Sequence, residues 1–103
     1  MSVRYLFNSA GRYVAFVADG HLFDPNSEWI GFLGNGNVVY DTRGDFLGYL
    51  LEDDRVVRNR YEPKPFRVFP PFKPFKPFKP FKPFPRLQMA RLPPHYVDVF
   101  GGE

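Results

Sequence analysis

Phenylalanine returns at every third position of one segment, and this regularity constrains the fold more than any other feature of the chain. The row consists of Phe66, Phe69, Phe72, Phe75, Phe78, Phe81 and Phe84. A second, basic row consists of Lys64, Arg67, Lys73, Lys76, Lys79 and Lys82, and prolines fill most of a third. A period of three with abundant proline predicts a polyproline II helix, which has three residues per turn and no internal hydrogen bonds. Each row then follows one edge of a rod.

Charge is distributed unevenly along the chain. Residues 1–62 contain 6 basic and 9 acidic residues (net −3), whereas residues 63–103 contain 8 and 2 (net +6). The two parts are therefore complementary, which suits docking of the rod on a domain of its own kind or on a foreign polyanion. Cysteine is absent, so disulfides and thiolate metal sites are excluded. The sequence shows no signal-peptide layout and no apolar run of membrane-spanning length, and we expect a cytoplasmic protein by default, with secretion by another route left open.

A twelve-residue pattern occurs three times in the first fifty residues. Its copies are LFNSAGRYVAFV at 6–17, LFDPNSEWIGFL at 22–33 and VYDTRGDFLGYL at 39–50. Each copy predicts a β-hairpin, because Asn8, Asp24 and Asp41 stand where an Asx side chain can bond the backbone of a turn. Asp19-Gly20 and Asn35-Gly36 are turn signals between the copies. The sequence predicts an antiparallel meander with strands at about 3–8, 12–18, 21–24, 28–33, 37–41, 45–51 and 55–58.

The eighth strand of this meander is expected far along the chain. Val56 and Val57 begin a fourth hairpin, and the closing residues 95–100 (HYVDVF) match the second half of the first copy. The fold class is therefore all-β: a domain of residues 1–58 and 95–103, with residues 59–94 inserted where the fourth hairpin should turn.

The three copies, the basic proline-rich tract and the closing LPPHYVDVF together resemble the bacterial family of four-fold β-flower proteins. The resemblance covers nearly the whole chain. It implies a pseudo-four-fold domain of β-hairpins, and it brings no catalytic residues, because the family has no assigned activity.

The length of the rod limits how the fourth hairpin can close. A straight polyproline II helix of 23 residues extends about 70 Å, and residues 86–94 reach back at most about 30 Å. Paired strands lie only about 5 Å apart. The rod must bend around its own domain, or the last strand must complete another copy. We expect the domain to cover about half of the phenylalanine row and a second copy to cover the rest. The candidate assembly interface comprises the seven phenylalanines of the row with Tyr96, Val97, Val99 and Phe100.

The sequence predicts a non-enzymatic, self-assembling structural protein that forms a homo-oligomer or filament. The alternative is a binding module whose basic row (Lys64, Arg67, Lys73, Lys76, Lys79 and Lys82) engages nucleic acid or another polyanion. No catalytic residue, cofactor or metal is predicted, since His21 and His95 lack neighbouring ligands and the repeat explains the aspartates as turn formers. Glu52, Asp53 and Asp54 are interpreted as a solvated acidic turn that could face the basic row, and Trp29 as a core residue.

Overall fold

Eight short antiparallel strands form one sheet in the computed structural model of the chain, which describes residues 3–65 and 67–101. The strands are β1 (Arg4–Phe7), β2 (Tyr13–Ala18), β3 (His21–Phe23), β4 (Trp29–Leu33), β5 (Val38–Asp41), β6 (Phe46–Leu50), β7 (Val56–Asn59) and β8 (Tyr96–Asp98). Each strand pairs with its neighbours in sequence, and the sheet curls into a half-barrel. The predicted all-β class is confirmed. Most strands are one or two residues shorter than predicted, because their outer residues belong to turns.

One type of turn recurs at residues 8–12, 24–28 and 41–45. In each turn, Oδ1 of the first side chain accepts hydrogen bonds of 2.8–3.0 Å from the backbone N–H groups of the third and fifth residues. The first residue is Asn8, Asp24 or Asp41, so the structure confirms all three predicted turn formers. We call these the first, second and third Asx turns. They connect β1 to β2, β3 to β4 and β5 to β6, and therefore lie at the same end of the sheet.

A fourth turn of this kind begins after β7 and is not completed. The N–H of Tyr61 donates to Oδ1 of Asn59 at 3.0 Å, and the N–H of Glu62 donates to the Asn59 carbonyl at 3.1 Å. The fifth position is Pro63, which has no N–H to donate. The chain consequently leaves the sheet at the point where the other three turns return to it.

The core consists of two clusters on opposite faces of the sheet, since Ala15 and Val17 belong to one and the residues that alternate with them along β2 belong to the other. Leu6, Ala15, Leu22 and Val39 are fully buried in the larger cluster, and Val99 and Phe100 pack against its edge. The smaller cluster consists of Phe16, Ala18 and Phe23, with Tyr5, Tyr13 and Trp29 packed against it. Trp29 thus packs against the core, as the sequence predicted.

The last strand lies beside β7 of the same chain. Val57 pairs with Asp98 and Asn59 pairs with Tyr96 in an antiparallel register. Of the two closures expected from the length of the insertion, this structure contains the one in which the inserted segment bends around its own domain. Within residues 3–65 and 67–101, no helix has both the length and the apolar character needed to cross a membrane.

Candidate functional site

The inserted segment follows the end of the sheet that carries the Asx turns. We call residues 63–94 the strap; Phe66 lies outside the described residues, and the remainder contains no helix or strand. The strap meets the third turn at Val68, the second at Lys76 and the first at Arg86. It therefore visits the turns in the reverse of their order in the sequence, and so returns the chain from β7 to the side of the sheet where β1 begins.

Two equivalent glycines fasten the strap to the domain. The N–H of Val68 donates to the Gly44 carbonyl at 3.0 Å, and the N–H of Arg86 donates to the Gly11 carbonyl at 2.8 Å. Both glycines occupy the fourth position of their Asx turns, with φ of 91° and 86°. A Cβ at Gly44 would overlap the carbonyl oxygen of Val68, and a Cβ at Gly11 would overlap that of Arg86. The missing side chain is what lets the strap approach so closely.

The contacts of the strap repeat at multiples of nine residues. Val68 and Arg86 are eighteen residues apart and bind equivalent glycines. We call these two contacts the outer stations of the strap. The side chains that precede the stations also make repeated contacts. Arg67 Nε lies 3.8 Å from Asp45 Oδ1, and nine residues later Lys76 Nζ lies 2.8 Å from Glu28 Oε2. Asp45 and Glu28 both occupy the fifth position of an Asx turn, so the strap advances nine residues for each turn it passes.

The middle station, where the strap passes the second Asx turn, does not have the same contacts. The spacing places Pro77 opposite the second turn, whose fourth residue is Ser27 rather than glycine. Pro77 has no N–H to donate, and Ser27 carries the Cβ that the other two stations lack. The Ser27 side chain is 2% exposed, and its hydroxyl has no partner among the described residues. The strap is held here instead by the ion pair between Lys76 and Glu28.

Proline, not phenylalanine, faces the domain. Half-buried residues recur at every third position, at Pro74, Pro77, Pro80 and Pro83. The phenylalanines of the row that the structure describes are 92–99% exposed: Phe69, Phe72, Phe75, Phe78, Phe81 and Phe84. The expectation that the domain covers half of this row is wrong for those six residues. The flat proline rings let the strap backbone lie close to the turns, and this orientation turns the described phenylalanines away from the sheet.

The basic row is partly engaged by the domain. Arg67 Nε donates to the Arg43 carbonyl at 2.7 Å, in addition to its approach to Asp45. The hydrogen bond to Glu28 raises the pKa of Lys76 above its ordinary value, although the Lys76 side chain is 61% exposed. Lys64, Lys73, Lys79 and Lys82 are exposed.

An arginine that the sequence did not single out holds the far end of the strap. Arg86 contacts Asp54 at 2.7 Å, and its guanidinium lies 4.1 Å from the centre of the Phe7 ring. Arg4 contacts the other oxygen of Asp54 at 2.6 Å. Burial raises the pKa of the Asp54 carboxyl, but the hydrogen bonds from Arg4 and Arg86 outweigh this effect and place the pKa below its ordinary value. Asp54 thus faces arginines and not the predicted row of lysines.

A second arginine fixes the segment between the strap and β8. Arg55 is only 4% exposed, and it contacts Asp53 at 2.7 Å. It also donates to the Ala90 carbonyl at 2.7 Å and to the Ser9 hydroxyl at 3.0 Å. A buried cation that satisfies three groups is costly to remove, because its partners would be left unpaired. The repeat pattern predicted only that Arg55 begins a strand and did not indicate this role.

The C-terminal residues of the candidate interface serve the chain's own sheet. Tyr96 and Val97 pair with β7, while Val99 and Phe100 pack against the larger core cluster. The first Asx turn also receives this end of the chain, because Asn8 Nδ2 donates to the Gly101 carbonyl at 2.7 Å.

The described part of the chain offers no group of three or more His, Asp or Glu side chains arranged to share a metal ion. The ring of His21 lies 6.0 Å from that of Trp29, and the ring of His95 lies 4.8 Å from that of Tyr96. Both histidines therefore belong to aromatic clusters. Asp24 and Asp41 use their carboxylates to close turns, as described above.

An eight-stranded meander whose turns are crossed by a proline-rich strap defines a class of small all-β proteins. The sequence model of one family, the 4-fold beta flower proteins, matches residues 4–97, and the chain belongs to this family. The resemblance stated from the sequence is confirmed, and no activity is assigned to the family. No curated protein and no solved structure matches the chain.

Proposed function

We propose that this protein is a non-enzymatic structural protein that assembles into homo-oligomers or filaments through its phenylalanine row. One observation carries the proposal: the six described phenylalanines of the row are 92–99% exposed on a strap that is itself fastened at both ends. A fastened strap presents the rings continuously, so their contact with water is a lasting cost that association would remove.

The exposed area is large enough for a stable interface. Each phenylalanine can bury roughly 150–250 Å², so six rings offer roughly 1,000 Å². The largest apolar patch on a typical monomer is about 300–600 Å², and a standard interface buries about 800 Å² on each partner. The row therefore exceeds what a resting surface usually exposes and matches what a dimer requires.

The dimensions of the molecule support a polyproline II strap on a pseudo-four-fold domain. The Cα extents are 37 × 36 × 21 Å. A half-circle of that diameter measures about 57 Å, and eighteen residues at the polyproline II rise extend about 56 Å. Two nine-residue steps would thus carry the strap past two quarter turns of the domain, from Gly44 to Gly11. A strap of this kind is stiff, which lowers the conformational entropy lost when its side chains are buried.

The three-fold geometry of such a strap separates the apolar and basic rows. With proline toward the domain, phenylalanine and lysine would point about 120° apart, toward opposite sides of the rim. Copies can then meet through their phenylalanine rows while the like-charged rows stay apart and in water. Donation of β8, the other mode of assembly expected from the sequence, is not required, because β7 and β8 pair within one chain.

The alternative function, binding of nucleic acid or another polyanion, draws on the exposed side chains of Lys73, Lys79 and Lys82. Two members of the basic row, Arg67 and Lys76, already contact acidic residues of the domain, at 3.8 Å and 2.8 Å. A stacking surface for bases would also require the phenylalanine row, which points away from the lysines in a polyproline II rod. We therefore favour self-assembly.

The salt dependence of self-association and of DNA binding distinguishes the two proposed functions. Sedimentation velocity of the full chain at 50 and 500 mM NaCl is expected to show association that persists or strengthens with salt, because apolar contacts are not screened. Binding to a mixed-sequence single-stranded DNA would fall steeply over the same range. A protein that stays monomeric at both salt concentrations and binds the DNA only at the lower one would overturn the proposal in favour of the alternative.

A further inference from the structure

The strap leaves a groove near its middle station, where the Lys76–Glu28 ion pair and not a backbone hydrogen bond holds it. A cavity of about 540 Å³ lies between the strap and the β2–β3 turn. Its lining from the domain includes Ala18, His21 and Phe23, and its lining from the strap is residues 74–78. The groove is mainly apolar, and its lining includes Pro77, the strap residue that replaces the N–H donor of the outer stations.

The spacing of the strap fits the groove to an aromatic ring. Phe75 and Phe78 both line the groove, and in a polyproline II rod their side chains depart about 9 Å apart. A ring inserted midway between them would lie about 4.7 Å from each, within the range of 4.5–7 Å that favours aromatic pairs. The buried Phe23 and Ala18 provide an apolar wall on the inner side.

The charge at the groove indicates what carries that ring. Asp19 belongs to the lining and is exposed, whereas the other charged lining residue, Lys76, is already paired with Glu28 at 2.8 Å. In the F-K-P repeat, every phenylalanine is followed directly by lysine, so a ring delivered by this repeat brings a cation next to Asp19. The complementary charges and the exposed apolar area point to the strap of a second copy rather than to an acidic or neutral partner.

We propose that the groove is a socket for one phenylalanine of a second copy's strap, so that the central parts of two phenylalanine rows interdigitate. The inference rests on the proposed self-assembly and specifies where the copies meet. The midpoint of the described row, from Phe69 to Phe84, falls between Phe75 and Phe78. A two-fold arrangement would therefore let each copy insert a ring and receive one in the same contact.

A variant whose own strap is fastened at the middle station tests whether the groove receives a phenylalanine of a second copy. The double variant Ser27→Gly/Pro77→Ala gives the middle station the glycine and the N–H that the outer stations have. We expect the strap to fasten there and the dissociation constant for self-association to rise at least tenfold, as measured by sedimentation equilibrium. The matched control is Ser27→Gly/Pro74→Ala, which also loses one proline but places the new N–H away from the station; its association is expected to change less than threefold.

Equal association of the double variant, its control and the unchanged protein would overturn the socket. Photo-crosslinking gives an independent readout. A benzoylphenylalanine at position 78, in a mixture of isotopically light and heavy chains, is expected to link to residues 18–23 or 74–78 of the other copy. Links between copies that form only elsewhere would overturn the socket and leave self-assembly standing. If no links join two copies and the protein remains at 12.0 kDa, the proposed function fails as well.

Discussion

Replacement of Phe72, Phe75, Phe78 and Phe81 by serine is expected to abolish self-association and to leave a monomer of about 12 kDa. Each phenylalanine buried in an interface contributes about 1.5–3 kcal/mol, so four contribute at least about 6 kcal/mol and their loss weakens association more than a thousandfold. All four side chains are at least 93% exposed in the single chain. The thermal unfolding midpoint of the monomer should therefore change little.

A matched control uses the neighbouring row. Replacement of Lys73, Lys79 and Lys82 by serine removes exposed strap residues of comparable length without touching the phenylalanines. Sedimentation equilibrium of both variants should show that the lysine variant still associates, because its phenylalanine row is intact. The reverse pattern, with association lost in the lysine variant and retained in the phenylalanine variant, would show that copies meet through the basic row and would contradict the proposal.

Gly44→Ala is expected to be far more destabilising than Gly20→Ala, although both glycines have positive φ, 91° and 81°. A side chain in this region of φ costs about 1–2 kcal/mol, and both variants incur that cost. At Gly20 a Cβ meets nothing within 4 Å, whereas at Gly44 it overlaps the carbonyl of Val68. Displacing the strap there also removes the hydrogen bond from Val68, so we expect a further loss of about 2 kcal/mol in the free energy of unfolding.

Urea denaturation of the two glycine variants measures this difference, and amide exchange locates it. The Val68 amide should be protected from exchange in the unchanged protein and in Gly20→Ala, and unprotected in Gly44→Ala. Equal destabilisation of the two variants, with Val68 still protected in both, would show that the strap is not fastened at Gly44.

The features that could be predicted from the sequence are those determined locally. Asn8, Asp24 and Asp41 each close a turn with their own neighbours, so their spacing was sufficient to place the hairpins between them. The same pattern predicted the strand boundaries, and the differences from the structure lie at the ends of the strands, mostly at residues that belong to turns. The interrupted turn after β7 was predicted from the repeat, and the structure adds a local reason, since Asn59 begins an Asx turn and Pro63 stands at the position that must donate an N–H.

The path of the strap depends on contacts between residues distant in sequence, and these could not be read in advance. A period of three assigns proline, phenylalanine and lysine to separate rows, but it does not reveal which row faces the domain. The prediction placed about half of the phenylalanine row against the domain, because burial of apolar side chains is favourable. The structure instead places proline there, since backbone hydrogen bonds to Gly11 and Gly44 require a close approach. The roles of Arg55 and Arg86 depend on the same path of the strap, and the residues next to them in sequence do not indicate these roles.

If copies meet through the phenylalanine row, the accessibility of its rings to solvent must fall when the protein associates. In the full chain with phenylalanine ring labels, relaxation caused by a soluble paramagnetic agent can be compared at low and high protein concentration. We expect the rings of Phe75 and Phe78 to be fully accessible in the dilute monomer and to become protected as the protein associates, while Phe16 stays protected throughout. If these rings remain accessible in the concentrated protein, whatever its oligomeric mass, copies do not meet through the phenylalanine row.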